Sequence, residues 1–213
     1  MPVINGAIVG LIETVLILKI WKWYGINVLK MRTRMHKIIS ICALILSVTL
    51  NYLLFSKEIN AAIRINMIVF FVLLSAIAAI DYKNKIIPNK LLLIGIVSRT
   101  VILVIEAICY SDMIKKNLLN ALMGLLFGLI FMLVLCWISK HGIGFGDVKL
   151  FAWVGYCMGV VDTYSILFYS ALLAAIAGIY LMVLKKEDRK RQIPFAPFVW
   201  IGAYSVLCMR LLS

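Results

Sequence analysis

Runs of about 20 apolar residues recur along almost the whole chain and constrain its fold more than any other feature. Each run is about as long as a helix that crosses the hydrocarbon core of a bilayer. Apolar residue types make up 64% of the 213 residues, and the mean hydropathy is +1.06. Soluble domains are only about half apolar. The sequence therefore predicts an integral membrane protein that has the lipid bilayer as its surroundings.

Eight apolar segments can be marked, which predicts an all-α, polytopic bundle of about eight transmembrane helices. They are Val3–Leu18, Ile38–Phe55, Ala61–Ile80, Leu91–Tyr110, Leu118–Ile138, Leu150–Val161, Tyr164–Leu184 and Pro194–Leu212. Residues 1–60 are expected to contribute two helices joined by a short basic loop, and residues 61–213 a six-helix domain. The first segment follows no basic n-region, so we expect a retained span and not a cleaved signal peptide.

The basic residues fall mainly in alternate loops. Sixteen of the 22 Lys and Arg residues lie in one set of four loops, residues 19–37, 83–90, 140–149 and 185–191. The other set holds only Lys57, Lys115 and Lys116. The positive-inside rule places the first set in the cytoplasm and both termini outside. Because these charges are distributed as orientation signals and not as an aromatic-studded basic domain, no nucleic-acid partner is expected.

The cysteine and histidine patterns predict neither a metal site nor a nucleophilic site. The five cysteines occur singly within apolar runs and form no CxxC motif, so they are interpreted as packing residues. His36 and His141 both lie in basic loops, and no Ser-His or Cys-His arrangement is evident. We therefore expect no metal and no other cofactor.

The apolar segments contain five charged residues, Glu13, Arg64, Arg99, Glu106 and Arg210. Arg99 and Glu106 are seven residues apart, two turns along one helix, so an ion pair is favoured over a catalytic role. Glu13 has no obvious local partner, and the sequence assigns it no role.

Two aspartates are expected at the same membrane depth. Asp81 ends the third apolar segment and Asp147 begins the sixth. Since the third helix runs inwards and the sixth outwards, both carboxylates are predicted near the cytoplasmic boundary, where a bundle could place them side by side.

Paired carboxylates of this kind can hydrolyse a peptide bond. In a poorly solvated site one carboxyl group keeps its proton while the other stays ionised. The ionised group activates a water molecule for attack on the scissile carbonyl, and the protonated group hydrogen-bonds the carbonyl oxygen and later protonates the leaving amine.

The stretch HGIGFGDVKLF, residues 141–151, has a functional and a structural interpretation. Its glycines Gly142, Gly144 and Gly146 allow a tight turn before the sixth helix and the close approach of an extended peptide. Alternatively, Asp147 is a helix cap at the end of an ordinary glycine-rich loop. The matching Asp81 favours the catalytic interpretation.

Three further motif elements have simple structural interpretations. Pro88 and Asn89 are typical of a segment boundary, Pro194 and Pro197 of the start of a helix, and Lys149 of a lysine at the membrane interface. Pro194 and Pro197 are also candidates for shaping the wall of the same site.

Taken together, these motifs resemble the type IV prepilin peptidase family, the GxGD membrane aspartyl proteases that include the preflagellin peptidases. The resemblance rests on Asp81 followed by the IPN motif, on GIGFGDVKLFAWVG and on IPFAPF, in the family's order across roughly residues 61–212. It implies that Asp81 and Asp147 are the catalytic pair. The residues implied to bind substrate or shape the site are Pro88, Asn89, Gly144, Phe145, Gly146, Lys149, Pro194 and Pro197.

The resemblance also implies a substrate and a place of action. The substrate would be a prepilin-like precursor, a pilin or pseudopilin, that loses a short basic leader at the cytoplasmic face of the cell membrane. Many family members also carry a cytoplasmic domain with paired CxxC motifs and N-methylate the new N-terminus. Here the interval at residues 19–37 contains no cysteine, so a peptidase without methyltransferase activity is expected.

Three alternatives remain open from the sequence. A proton- or cation-coupled transporter would also use membrane carboxylates, although no inverted repeat is seen. A noncatalytic scaffold would use Asp81 and Asp147 only as helix caps. A broader intramembrane protease of the GxGD type would share the chemistry and differ in substrate. The oligomeric state is not predicted.

Overall fold

A computed structural model describes residues 59–109, 111–139, 142–184 and 193–212 of the chain. It also describes isolated residues of the first 58, namely 8–10, 12, 13, 15–17, 19, 20, 49, 54 and 55. The predicted first and second spans therefore lie largely outside the described residues. Of their described residues, those between 8 and 20 are helical.

All regular secondary structure among the described residues is α-helical, which agrees with the predicted fold class. From residue 59 onwards six helices are described. They are α1 (Ala61–Asn84), α2 (Asn89–Cys109), α3 (Ser111–Ile138), α4 (Phe145–Met158), α5 (Val160–Leu184) and α6 (Ala196–Leu212).

Four of the described helices are long and apolar enough to cross a membrane. These stretches are Ala61–Asn84, Asn89–Cys109, Ile114–Ile138 and Val160–Val183. Helix α6 is apolar but shorter, with 17 residues, and α4 has 14. The chain is thus an α-helical membrane protein with long spanning helices and shorter apolar helices beside them.

Helix α4 is the buried centre of the bundle. Its side chains Val148, Leu150, Phe151, Trp153 and Val154 are almost completely buried. The Trp153 ring packs on Phe70 of α1, with the ring centroids 5.0 Å apart. A helix surrounded on all sides in this way can be short, because neighbouring helices and not lipid cover its surface.

Glycines allow α3 and α4 to pack backbone against backbone. A Cβ atom at Gly124 would collide with the carbonyl oxygen of Gly155, and one at Gly128 would collide with that of Phe151. Gly124 and Gly128 are spaced four residues apart, which places both on the same face of α3. This is the small-residue packing that is common between membrane helices.

The turn between α4 and α5 depends on Gly159. Its φ angle is +82°, a backbone conformation that favours glycine, and its N–H donates to the Gly155 carbonyl oxygen. Helix α5 begins immediately afterwards at Val160.

Two helix boundaries differ from the predicted segments in a way that matters for the two aspartates. Helix α1 continues to Asn84, beyond the predicted end at Ile80. Helix α4 begins at Phe145, five residues before the predicted start. Hydropathy located only the apolar parts of these helices. Asp81 and Asp147 therefore both lie inside helices, and Gly146 belongs to the first turn of α4 and not to a preceding hinge.

Candidate active site

Asp81 lies in the last turn of α1 and is only 5% exposed. Its carboxylate oxygen Oδ2 accepts a hydrogen bond of 2.9 Å from the backbone N–H of Ala196, the first residue of α6. The first N–H groups of a helix have no partner within the helix and carry partial positive charge. The start of α6 therefore fixes and stabilises the Asp81 carboxylate across the bundle.

Asp147 lies in the first turn of α4 and is half-buried. Its carboxylate interacts with the backbone N–H of Gly144, the residue that precedes the helix, and electrostatically with the carboxylate of Asp81. The two predicted aspartates are thus brought close together at one end of the bundle. Two nearby negative charges repel each other, which disfavours the ionisation of both carboxyl groups at once.

The segment before α6 is held against α4 by aromatic packing. The ring centroids of Phe195 and Phe151 are 5.9 Å apart. Pro194 precedes the helix and Pro197 is its second residue, where a missing N–H costs no internal hydrogen bond. The IPFAPF motif therefore positions the N–H of Ala196 towards Asp81.

The chain turns sharply immediately after Asp81. Lys85 adopts a left-handed conformation with φ of 54°, and its N–H donates to the Asp81 carbonyl oxygen at 2.8 Å. This contact ends α1. The next helix begins at Asn89, directly after Pro88.

Residues 87–89 contact the start of α4 at two places. The side chain of Ile87 lies so close to Gly146 that a Cβ atom there would be 3.2 Å from Ile87 Cβ. Lys149 Nζ donates a 3.2 Å hydrogen bond to Asn89 Oδ1. These contacts connect the turn after Asp81 to the helix that carries Asp147.

One side of this region is open to the surroundings. Gly142, Gly144, Phe145 and Lys149 are exposed, and Phe145 is 61% exposed. Gly144 has an extended backbone, with φ of −71° and ψ of 142°. A peptide could approach this edge without first displacing a helix.

All of the predicted site residues are therefore at the same end of the bundle. They come from the end of α1, the start of α2, the start of α4 and the start of α6, with one buried and one half-buried carboxylate between them. Such an arrangement can hold a water molecule between two carboxyl groups and exchange protons with it, which is general acid–base chemistry.

Sequence reasoning missed three contributors to this geometry: Ile87, Phe195 and the backbone N–H of Ala196. The N–H of Ala196 could have been predicted from the sequence, because Pro194 and Pro197 mark a helix start, and the first N–H groups of a helix have no partner within it. The two side chains had no such signal, since their contacts depend on how the helices pack.

Other charged groups lie away from this site. Arg99 and Glu106 form the predicted ion pair, with Nη1 and Oε1 2.9 Å apart, and this prediction is confirmed. The four described cysteines form no disulfide with one another, and no group of three possible metal ligands occurs in the described parts of the chain. His141 lies outside the described residues.

The fold and the site together define a class: a helical membrane protein with two interacting carboxylates at one end of its bundle. Residues 68–179, which include both aspartates, match the model of the type IV leader peptidase family. Since this match covers more than half of the chain, the chain belongs to that family.

Curated relatives carry the name prepilin leader peptidase/N-methyltransferase. The chain is 30% identical over 136 residues to the protein of Bacillus subtilis (strain 168), covering 64% of this chain and 52% of the relative. It is 28% identical over 148 residues to that of Xanthomonas campestris pv. campestris, covering 65% and 48%. It is 27% identical over 139 residues to that of Pseudomonas aeruginosa, covering 63% and 46%.

The matched region spans about half the length of these curated relatives. No solved structure matches the chain.

Proposed function

We propose that this chain is a membrane aspartyl endopeptidase that removes the short basic leader from type IV prepilin-like precursors. Asp81 and Asp147 are the catalytic residues, and they activate water without a covalent intermediate. The observation that carries this proposal is the proximity of the two carboxylates within the segment that matches the leader peptidase family.

The contacts of the two aspartates suggest a division of roles. The N–H of Ala196 stabilises negative charge on the buried Asp81, so Asp81 is the stronger candidate for the ionised member that takes a proton from water. Asp147 would then hold the shared proton and donate a hydrogen bond to the scissile carbonyl. The extended, exposed edge at Gly144 supports binding of a substrate backbone beside it.

The substrate class follows from the family. Its relatives are named as prepilin leader peptidases, and a pilin or pseudopilin precursor has a basic leader ahead of an apolar helix. Cleavage at that junction would require a site near the membrane boundary, which is where the proposed orientation would put the end of α1 and the start of α4.

The proposed membrane orientation rests on the charge pattern. Eight spans, with the basic loops in the cytoplasm and both termini outside, would place the two aspartates near the cytoplasmic face of the cell membrane. In this arrangement residues 1–60 form two N-terminal spans and residues 61–213 form the six-helix peptidase domain.

The cleaved product is expected to carry an unmethylated N-terminus when this chain is the only enzyme supplied. The reason is that residues 19–37 contain no cysteine with which to build the paired CxxC motifs of the bifunctional members. Purified chain, precursor and S-adenosylmethionine would be incubated together and the product analysed by mass spectrometry. A mass increase of one methyl group would contradict the peptidase-only proposal.

Lys149→Ala is expected to lower kcat/KM for leader cleavage about tenfold, because it removes the hydrogen bond to Asn89 and loosens the turn after Asp81. Asn89→Ala should have a similar effect. The double variant should lose little more than either single variant, since both remove the same contact.

Lys90→Ala is the matched control for this pair, because Lys90 is an exposed lysine beside Asn89. Its kcat/KM should stay within about twofold of the wild type. If the loss of kcat/KM in the double variant equalled the product of the losses in the two single variants, the hydrogen bond between Lys149 and Asn89 would not position the site.

One observation favours a second candidate, the noncatalytic scaffold. Both aspartates interact with N–H groups at helix starts, as simple caps do. Asparagine can also cap a helix but cannot supply acid and base. Leader cleavage by Asp81→Asn and Asp147→Asn variants therefore separates the two candidates. The transporter alternative is not favoured, because the family match concerns leader peptidases.

A further inference from the structure

A polar cavity of about 470 Å³ lies at the end of the bundle opposite the two aspartates. Its wall includes Asn66 near the start of α1 and Arg210 near the end of α6. Asn66 and Asp81 are 15 residues apart on one helix, a separation of about 22 Å. The cavity is therefore distinct from the candidate active site, and its proposed role does not depend on peptidase activity.

The cavity contains two ion pairs. Arg99 pairs with Glu106 at 2.9 Å, and the other oxygen of Glu106 accepts a 3.1 Å hydrogen bond from Asn117 Nδ2. Arg210 pairs with Asp162 at 2.6 Å. Among the described residues that line the cavity, these two cations and two anions balance each other in charge.

The pair formed by Arg99 is buried, whereas the pair formed by Arg210 lies at the surface. Arg99 is 7% exposed, and its Nε N–H has no hydrogen-bond partner within the described residues. A buried donor without an acceptor is costly. The side chain of Arg210 is 58% exposed, so this pair marks the mouth of the cavity.

Apolar side chains are exposed near the mouth of the cavity. Val161 lines the cavity and is 75% exposed, and Ile108 and Leu119, near the same ends of α2 and α3, are 78% and 60% exposed. In a membrane these side chains would face lipid. A cavity whose polar interior adjoins a lipid-facing rim is suited to a molecule with a charged head and apolar chains.

The equal number of arginines and carboxylates among the described cavity residues limits which charged headgroup the ligand can carry. A ligand with one phosphate and one ammonium could pair its phosphate with an arginine and its ammonium with a carboxylate while the site stays neutral. A purely anionic head would add an uncompensated negative charge to a partly buried site, which is unfavourable. A quaternary ammonium could not donate hydrogen bonds to Asp162 or Glu106, whereas a primary ammonium has three N–H donors.

We propose that this cavity binds the headgroup of a phosphoethanolamine lipid. The phosphate lies against the arginines and the ammonium against the carboxylates, while the acyl chains follow the apolar rim. The volume fits this occupant, since small-molecule sites range from roughly 300 to 1,000 Å³.

The test is native mass spectrometry of the full chain, delipidated in detergent and then given equal amounts of phosphatidylethanolamine, phosphatidylcholine and phosphatidylglycerol. We expect the adduct with phosphatidylethanolamine to exceed each of the other two about fivefold or more. Equal adducts of the three lipids, or no adduct at all, would overturn the proposal.

Substitutions of cavity residues test whether phosphatidylethanolamine binds in the cavity. Asp162→Asn and Arg210→Gln should each weaken phosphatidylethanolamine binding about tenfold, since each removes one charge-assisted contact. Lys116→Gln, an exposed cation near the start of α3 that does not line the cavity, is the matched control and should bind as the wild type does. Unchanged selectivity in both cavity variants would place the lipid elsewhere and overturn the proposal.

Competition with soluble molecules distinguishes a site for the phosphoethanolamine headgroup from a site for any simple anion. Free phosphoethanolamine should displace the lipid from wild-type protein, whereas inorganic phosphate at the same concentration should not. Displacement by phosphate alone would show a simple anion site. If neither competitor acts and both cavity variants bind like the wild type, the lipid binds elsewhere on the chain. Either result would contradict the proposal.

Discussion

Asparagine at position 81 or position 147 is expected to reduce the rate of leader cleavage by about a thousandfold or more. Loss of a general acid or base costs roughly 10²–10⁴ in rate, and here one carboxyl group is proposed to take a proton from water while the other donates a hydrogen bond to the scissile carbonyl. Asparagine retains the shape of aspartate and an oxygen that can accept the N–H of Ala196 or Gly144. The helix contacts should therefore persist while the proton chemistry is lost.

The experiment compares initial cleavage rates of a pilin-like precursor in membranes that contain equal amounts of each protein. Asp112→Asn is the matched control, because Asp112 belongs to the start of α3, at the end of the bundle away from the site. Its rate should equal that of the wild type. Full activity in either the Asp81 or the Asp147 variant would eliminate the proposed pair and leave the capping role as their explanation.

Alanine at Gly124 is expected to lower the stability of the folded bundle by about 3 kcal/mol, within the range found for overpacked cores. The added Cβ would collide with the carbonyl oxygen of Gly155, a backbone atom that cannot move away alone. Helices α3 and α4 would have to separate. Because α4 carries Asp147, activity should fall together with stability.

This prediction is measured by thermal unfolding in detergent, where the Tm should fall by roughly 5–10 °C. Gly178→Ala is the control, because a Cβ atom there would meet only Ile193 Cδ1 at 3.7 Å, an ordinary contact. Alanine is also the better helix former, so that variant should be unchanged or slightly more stable. Equal Tm values for the Gly124 and Gly178 variants would mean that the α3–α4 contact is not tightly packed.

The sequence was sufficient to predict the helical membrane class and the grouping of the site residues. Membrane helices need long apolar runs, which are visible without any knowledge of packing. The prediction that Asp81 and Asp147 lie at the same end of the bundle followed from the alternating direction of the spans. The Arg99–Glu106 pair followed from their spacing on one helix.

The helix boundaries and the contacts around the aspartates could not be predicted in the same way. Hydropathy marks where lipid-like side chains begin and end, but α1 and α4 continue past those points through polar residues and glycine. The hydrogen bond from Ala196 to Asp81 joins residues 115 positions apart and depends on how α6 packs against α1. The charged cavity likewise combines residues from all six helices, which no local pattern reveals.

Leader cleavage by this chain is tested by mass spectrometry of a pilin-like precursor incubated with membranes that contain the wild-type chain. Membranes with the Asp81→Asn/Asp147→Asn double variant serve as the control. We expect the wild type to remove the leader at a single bond between the basic segment and the apolar helix, and the control to leave the precursor intact. Precursors that stay intact with folded wild-type protein, across several candidates with basic leaders, would contradict this expectation.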